Sequence, residues 1–122
     1  MPPRTQSPSE IDDLLPLPTA VFHILVALAD RERHGYSIMQ DVAARTDGKV
    51  RLSAGTLYSA VRRMLEQGLI EERDSPDPQS DDERRRYYGL TQFGRDVAAA
   101  EARRVHELLS QARATGLIPR KL

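Results

Sequence analysis

The sequence predicts a mainly helical fold with one small β-hairpin, and three observations carry that reading. Apolar residues recur at helical spacing in three successive stretches between Pro18 and Gln67, as helices with one buried face require. Two β-prone runs, Leu69 to Asp74 and Arg85 to Leu90, then flank Ser75-Pro76-Asp77-Pro78-Gln79-Ser80, whose prolines bar it from a sheet interior. A long amphipathic stretch follows from Thr91.

Residues 1–17 read as an N-terminal arm. Within it Ser7-Pro8-Ser9-Glu10 offers a cap residue, a proline at the first helical position and a glutamate at the third. A short helix is expected from Pro8 to about Leu15, stopped by Pro16 and Pro18. Pro18 can open the next helix, where Val21, Ile24, Leu25 and Leu28 form a buried stripe. That helix fades near Asp30 to Arg33, and Gly35 permits a sharp turn. The second long helix is expected from about Tyr36 to Arg45, with Ile38, Val42 and Ala43 inward and Thr46-Asp47-Gly48 as its end.

Val50-Arg51-Leu52 reads as a short extended piece. Ser53 stands where the third helix needs an N-cap, its hydroxyl able to accept from a free amide of the next turn. Gly68 supplies the left-handed residue after Gln67. Thr91 caps the final helix, along which Phe93, Val97, Ala100, Val105, Leu108 and Ala112 keep a roughly helical apolar stripe until Gly116 and Pro119. Helix, helix, short strand, helix, strand, wing, strand, long helix is the order of a winged helix-turn-helix. Residues 18–91 would form that domain, and residues 92–122 a C-terminal dimerisation helix and tail.

With 122 residues, 39% of them hydrophobic and 30% charged, the chain has room for one domain plus an arm or extra helix. The absence of cysteine excludes disulfides, thiolate catalysis and Cys-based zinc sites, and fits a reducing cytoplasm. The longest nearly apolar run, Ala20 to Ala29, is interrupted by His23 and falls short of the roughly 20 residues a membrane span needs. The first residues carry serine, proline and acids where a signal peptide needs an apolar core. The reading is a soluble cytoplasmic protein with no membrane partner.

Net charge is +0, but its distribution is uneven. Between Arg45 and Arg63 stand five bases (Arg45, Lys49, Arg51, Arg62, Arg63) and one acid, Asp47. Between Asp74 and Glu83 stand five acids and no base, followed by Arg84, Arg85 and Arg86. Because phosphate attraction is screened within about 8 Å at physiological salt, local patches matter more than the total.

The third helix divides by face. At about 100° per residue, Leu57, Val61, Met64 and Leu65 share the inward side, and Gly55, Ser59, Arg62, Arg63 and Glu66 lie opposite. Thr56 and Tyr58 fall at the two borders. A helix that reads DNA needs one anchored face and another carrying small residues near its N-terminus, so that it can sink into a major groove about 12 Å wide. Arginines farther along reach phosphates or guanine edges. An amphipathic helix with solvated arginines explains the same face; the arginines of the adjoining hairpin, Arg85 and Arg86, favour the DNA reading over it. The acids of the wing tip would repel phosphates and are expected to point away.

These residues resemble the PadR family of transcriptional regulators. His34-Gly35-Tyr36-Ser37-Ile38 is similar to the start of that family's second helix, and Leu52-Ser53-Ala54-Gly55-Thr56-Leu57-Tyr58 to the start of its recognition helix, with Ala54 where proline is common. Leu65-Glu66-Gln67-Gly68-Leu69-Ile70 is similar to its helix-to-wing turn. Arg86-Tyr87-Tyr88-Gly89-Leu90-Thr91-Gln92-Phe93-Gly94 is similar to its second wing strand and the start of its last helix.

The resemblance implies a homodimeric repressor on an inverted-repeat double-stranded DNA operator, released by a small-molecule inducer whose identity the sequence leaves open. It implies DNA contacts at Tyr36 and Ser37, at Ser53, Ala54, Gly55, Thr56, Tyr58 and Ser59, at Arg62 and Arg63, and along the wing at Arg85 and Arg86. It implies a dimer made by the terminal helices. The stripe of the last helix can pack on its own domain, but a helix of about 22 residues extends roughly 33 Å, longer than so small a domain; its outer part is expected to pair with another copy's, together with the first helix and the arm, through Val21, Leu25, Val97, Val105, Leu108, Leu109 and Ala112. Many members carry several C-terminal helices; this chain has one long helix, as in the short subgroup.

Other readings of the same residues stay open. Tyr36 and Tyr58 can each be half-buried packing residues, and of Tyr87 and Tyr88, which alternate across a strand, one should face inward. His23, His34 and His106 have no ligand-like spacing, so no metal and no cofactor are expected. No nucleophile–base constellation argues for an enzyme. The alternative to a DNA-binding regulator is a winged-helix protein-interaction module that binds no DNA, which the acidic wing tip and zero net charge would suit.

Overall fold

The computed structural model describes residues 8–75 and 86–119. Its elements are α1 (Pro8–Asp12), α2 (Thr19–Leu28), β1 (Arg33–His34), α3 (Gly35–Arg45), α4 (Ala54–Glu66), β2 (Ile70–Arg73), β3 (Tyr87–Leu90) and α5 (Gln92–Ala114). Helix α2 is the hub. It packs against α3, α4 and α5, and its Val21, Ile24, Leu25, Ala27 and Leu28 are all buried. Helices α2 to α4 with the β2–β3 hairpin form a winged helix-turn-helix, as the apolar spacing predicts.

The sheet is antiparallel in the order β1-β3-β2. The extended piece expected at Val50–Leu52 is irregular; the extra strand is Arg33–His34 instead, paired with Tyr88 and Tyr87. Arg33 suits that place because its guanidinium reaches back to the carbonyl of Ala27 at 2.7 Å, near the end of α2. His34 caps the helix that follows, its Nδ1 accepting from the Ser37 amide at 3.1 Å. Tyr88 is buried and Tyr87 half-buried, as strand alternation requires.

Helix α5 starts on the wing. The Thr91 hydroxyl donates to the Gly68 carbonyl at 2.6 Å and accepts from the Gly94 amide at 2.9 Å. Gly94 lies so close to the backbone of Leu69 that a Cβ would fall 1.8 Å from its carbonyl oxygen. The helix then passes α2, with Val97 and Glu101 buried. Beyond Glu101 none of its residues is buried.

The arm folds back on its own chain. Helix α1 ends at Asp12, short of the expected Leu15; Ile11, Leu14 and Leu15 pack against the core, and the Leu17 amide donates to Glu101 Oε2 at 3.1 Å. The expected cap Ser7 lies outside the described residues. One expectation is corrected here. Val21, Leu25 and Val97, assigned above to a contact between copies, are 4%, 0% and 0% exposed. With α2 covered by three other helices, its stripe is used up inside the domain.

Candidate nucleic-acid interface

Helix α4 is built to present its outer face. Ser53 caps it, accepting from the Thr56 amide at 3.1 Å and donating to the Thr56 hydroxyl at 3.0 Å. Such a cap is worth about 1 kcal/mol. Leu57, Val61 and Met64 are buried against the core. Ala54, Gly55, Thr56, Tyr58, Ser59, Arg62 and Arg63 are exposed. Gly68, at φ +76°, ends the helix with the left-handed turn into the wing.

Helix α3 joins α4 through a glycine. A Cβ on Gly35 would lie 2.5 Å from the Tyr58 hydroxyl oxygen and 3.2 Å from Leu57 Cδ2, so the two helix starts nearly touch. Tyr36 and Tyr58 stand beside this contact, 57% and 50% exposed. Ser37 is different: it is half-buried, and its hydroxyl accepts from Arg33 at 3.2 Å.

Two shallow open grooves lie here, one along α4 and one along α3. One, of about 410 Å³, lies toward α2 and is lined by Pro18, Ala20, Thr56, Ser59 and Arg63 among others. The second, of about 330 Å³, lies toward α3 between Tyr36, Gln40 and Arg51.

The bases of α3, α4, the segment between them and the sheet divide into two groups. Arg33 pairs with Asp41 at 3.1 Å and Asp30 at 3.4 Å, and Arg45 pairs with Asp41 at 2.6 Å. Arg73 pairs with Glu71 at 3.1 Å and Arg86 with Glu72 at 3.2 Å. Lys49, Arg51, Arg62 and Arg63 are exposed and make no ion pair among the described residues. Arg62 and Arg63 stand on the outer face of α4, and Lys49 and Arg51 on the segment that leads into it. Arg85 and the acids Asp77, Asp81, Asp82 and Glu83 lie outside the described residues.

Residues 24–100 match the sequence model of the Transcriptional regulator PadR-like family. The chain belongs to that family. The fold agrees: a transcriptional regulator from Clostridium thermocellum superposes with a TM-score of 0.65 at 23% identity, over 91% of this chain and 97% of that one. A PadR family transcription regulator from Clostridium difficile gives 0.66 at 27% identity, over 78% and 95%. Bacillus subtilis PadR, solved in complex with operator DNA, gives 0.58 at 19% identity, over 70% and 47%. An uncharacterized protein of Lysinibacillus sphaericus is 31% identical over 72 residues, 59% of this chain and 64% of that relative, less than two thirds of its length.

In this PadR-like chain the sequence-predicted site residues gather well. Ser53 to Ser59, Arg62 and Arg63 share one helix, and Tyr36 joins them across the Gly35 contact. Arg86 sits apart on the wing. No motif singles out Arg51 and Lys49; only their place in the basic stretch from Arg45 to Arg63 marks them. Among the described residues no group of three or more His, Asp or Glu lies together as metal ligands would, and no helix is long and apolar enough to cross a membrane.

Proposed function

We propose that this PadR-like protein is a cytoplasmic repressor that binds an inverted-repeat operator as a homodimer. One observation carries the proposal: α4 turns its leucine and methionine side chains inward and leaves Gly55, Thr56, Ser59, Arg62 and Arg63 on an open surface with both arginines unpaired. Small residues near the start of the helix let it approach base edges, and the arginines reach guanines or phosphates farther along. Ser53, Ala54, Tyr58, Tyr36 and Ser37 line the approach from α3, and Arg85 and Arg86 add contacts from the wing. That Bacillus subtilis PadR was solved on operator DNA supports the same reading.

The dimer is assigned to the outer part of α5. A helix of 23 residues is about 35 Å long, and its domain buries it only as far as Glu101. Val105 and Leu108 are 41% and 56% exposed, with half-buried Leu109 and Ala112 on the same stretch. Residues 18–91 then act as the DNA-binding head and residues 92–122 as the dimerisation segment. Two-fold symmetry would set half-sites about one helical turn apart. A small-molecule inducer would act by binding one spacing of the two heads more tightly than the other.

The test is a gel shift on the duplex immediately upstream of the protein's own gene, repeated across salt concentrations. Binding should weaken with a log–log slope of about −0.9 per phosphate neutralised, and the R62A/R63A variant should bind more weakly. Unchanged affinity in that variant would defeat the DNA reading and leave a protein-interaction module. Sedimentation of wild type and Leu108→Asp reads the dimer separately; a monomeric wild type would remove that part of the proposal.

A further inference from the structure

We propose that the groove between α3 and Arg51 seats a sugar–phosphate unit of the DNA strand on the α3 side of α4. Arg51 is its anchor. The inference rests on the DNA reading above and adds a contact that neither the sequence motifs nor the family match assigns.

The groove carries no acid in its lining. Arg51, Gln40 and Tyr36 line it together with Met39, Ala43 and Leu52. A guanidinium with an amide and a phenol that can both donate, beside apolar side chains, suits a phosphate and its deoxyribose. In the chain beside the lining residues, Lys49 is exposed and makes no ion pair among the described residues, Asp47 is exposed, and Asp41 is held by Arg33 and Arg45. With Arg51 the one charged lining residue, the groove favours an anion.

Arg51 is also held from a stiff base. Thr46 ties the turn at both ends: its hydroxyl donates to the Val42 carbonyl at 2.9 Å and accepts from the Val50 amide at 3.0 Å. Asp47 and Gly48 are both left-handed, at φ 52° and 76°, and the Gly48 amide donates to the Ala43 carbonyl at 2.7 Å. The Arg51 guanidinium lies along this turn; a Cβ on Gly48 would come 2.9 Å from its NH2. A cation placed this way loses little freedom on meeting a phosphate.

The position fits the shape of a duplex. A helix in a major groove has one backbone on each side; Arg63 lines the groove between α4 and α2, and Arg51 lines the groove formed by α3 and the two residues Arg51 and Leu52 that lead toward the start of α4. Tyr58 leans toward the α3 side and Thr56 lines the α2 side.

The experiment compares wild type, Arg51→Ala, Arg51→Lys and R62A/R63A on the upstream duplex across salt, with thermal midpoints measured alongside. Arg51→Ala should lower affinity about tenfold and reduce the salt slope by about 0.9, one phosphate contact, with the thermal midpoint unchanged. Arg51→Lys should recover most of the slope. Because a phosphate contact carries no base information, the ranking of different duplexes should not move. Single methylphosphonates placed along the strand should weaken wild type at one flanking position and be silent there in Arg51→Ala. Wild-type affinity and slope in Arg51→Ala, with R62A/R63A still impaired, would overturn the inference and leave the proposed function intact. Failure of wild type to bind any duplex would overturn both.

Discussion

Helix α4 and the wing both carry arginines, and the structure holds them differently. On α4, Arg62 and Arg63 make no ion pair among the described residues, Glu66 one turn on included. On the wing, Arg73 is bonded to Glu71 and to the Leu90 carbonyl at 2.8 Å, and Arg86 is bonded to Glu72. A phosphate meeting α4 finds unpaired cations; at Arg86 it must displace a carboxylate. The comparison teaches that basic residues in a sequence are not equivalent. What matters is how much of their charge the fold has already neutralised.

The largest expected effect tests how the wing is joined to the rest. A Cβ on Gly94 meets backbone, the Leu69 carbonyl carbon and oxygen, which cannot swing aside. Gly94→Ala is expected to destabilise the fold by about 3 kcal/mol, read by chemical denaturation. Gly35→Ala presses first on the end of the Tyr58 side chain, which can turn away, and should cost about 1 kcal/mol. Equal costs would show that the two glycines are not distinguished by what they touch.

Next comes charge on α4. R62A/R63A should lose about ten- to hundredfold in affinity at physiological salt and about 1.8 in salt slope. If neutralising Arg86 alone does as much, the distinction between free and paired bases fails. Removing the α4 cap by Ser53→Ala should lower stability by about 1 kcal/mol, seen as a small drop in the thermal midpoint.

Acid offers a subtler test. The side-chain hydrogen bond from Arg104 at 2.5 Å lowers the Glu101 carboxyl below its usual range, overcoming the opposite push from burial, with the Leu17 amide adding to the lowering. A depressed folded-state pKa stabilises the protein above the ordinary carboxylate range and ceases to do so as pH falls through the depressed value. The thermal midpoint should therefore decline on acidification, and Glu101→Gln should flatten that decline while lowering the midpoint at neutral pH. The smallest effect is on the wing. Glu72→Gln frees Arg86, and DNA binding should tighten about twofold, the scale of an exposed ion pair.

Much of this molecule is legible from local signals. Ser53 and Thr91 cap helices because each precedes an apolar-periodic run, and Gly68 adopts positive φ because a helix must turn into a strand there. The inward face of α4 follows from the spacing of Leu57, Val61 and Met64. The third strand was less legible: two residues, Arg33 and His34, carry no alternation, and they pair because β3 passes beside them. Glu101 reads as one more charge beside a stripe, yet it is 2% exposed because the arm delivers the Leu17 amide to it. Arg51 is visible as a base but not as a neighbour of Tyr36 and Gln40.

By itself the sequence determined the helices, their caps, the hairpin, the inward face of α4 and the resemblance to PadR regulators, since all of these depend on residues within a few positions of one another. The tertiary structure alone decided which part of the α2 and α5 stripes is used up in the core, which carboxylates take which arginines, and which bases stay free. Those outcomes depend on residues far apart in the chain: burial and ion pairing are set by which surfaces meet, and periodicity along one helix does not contain that.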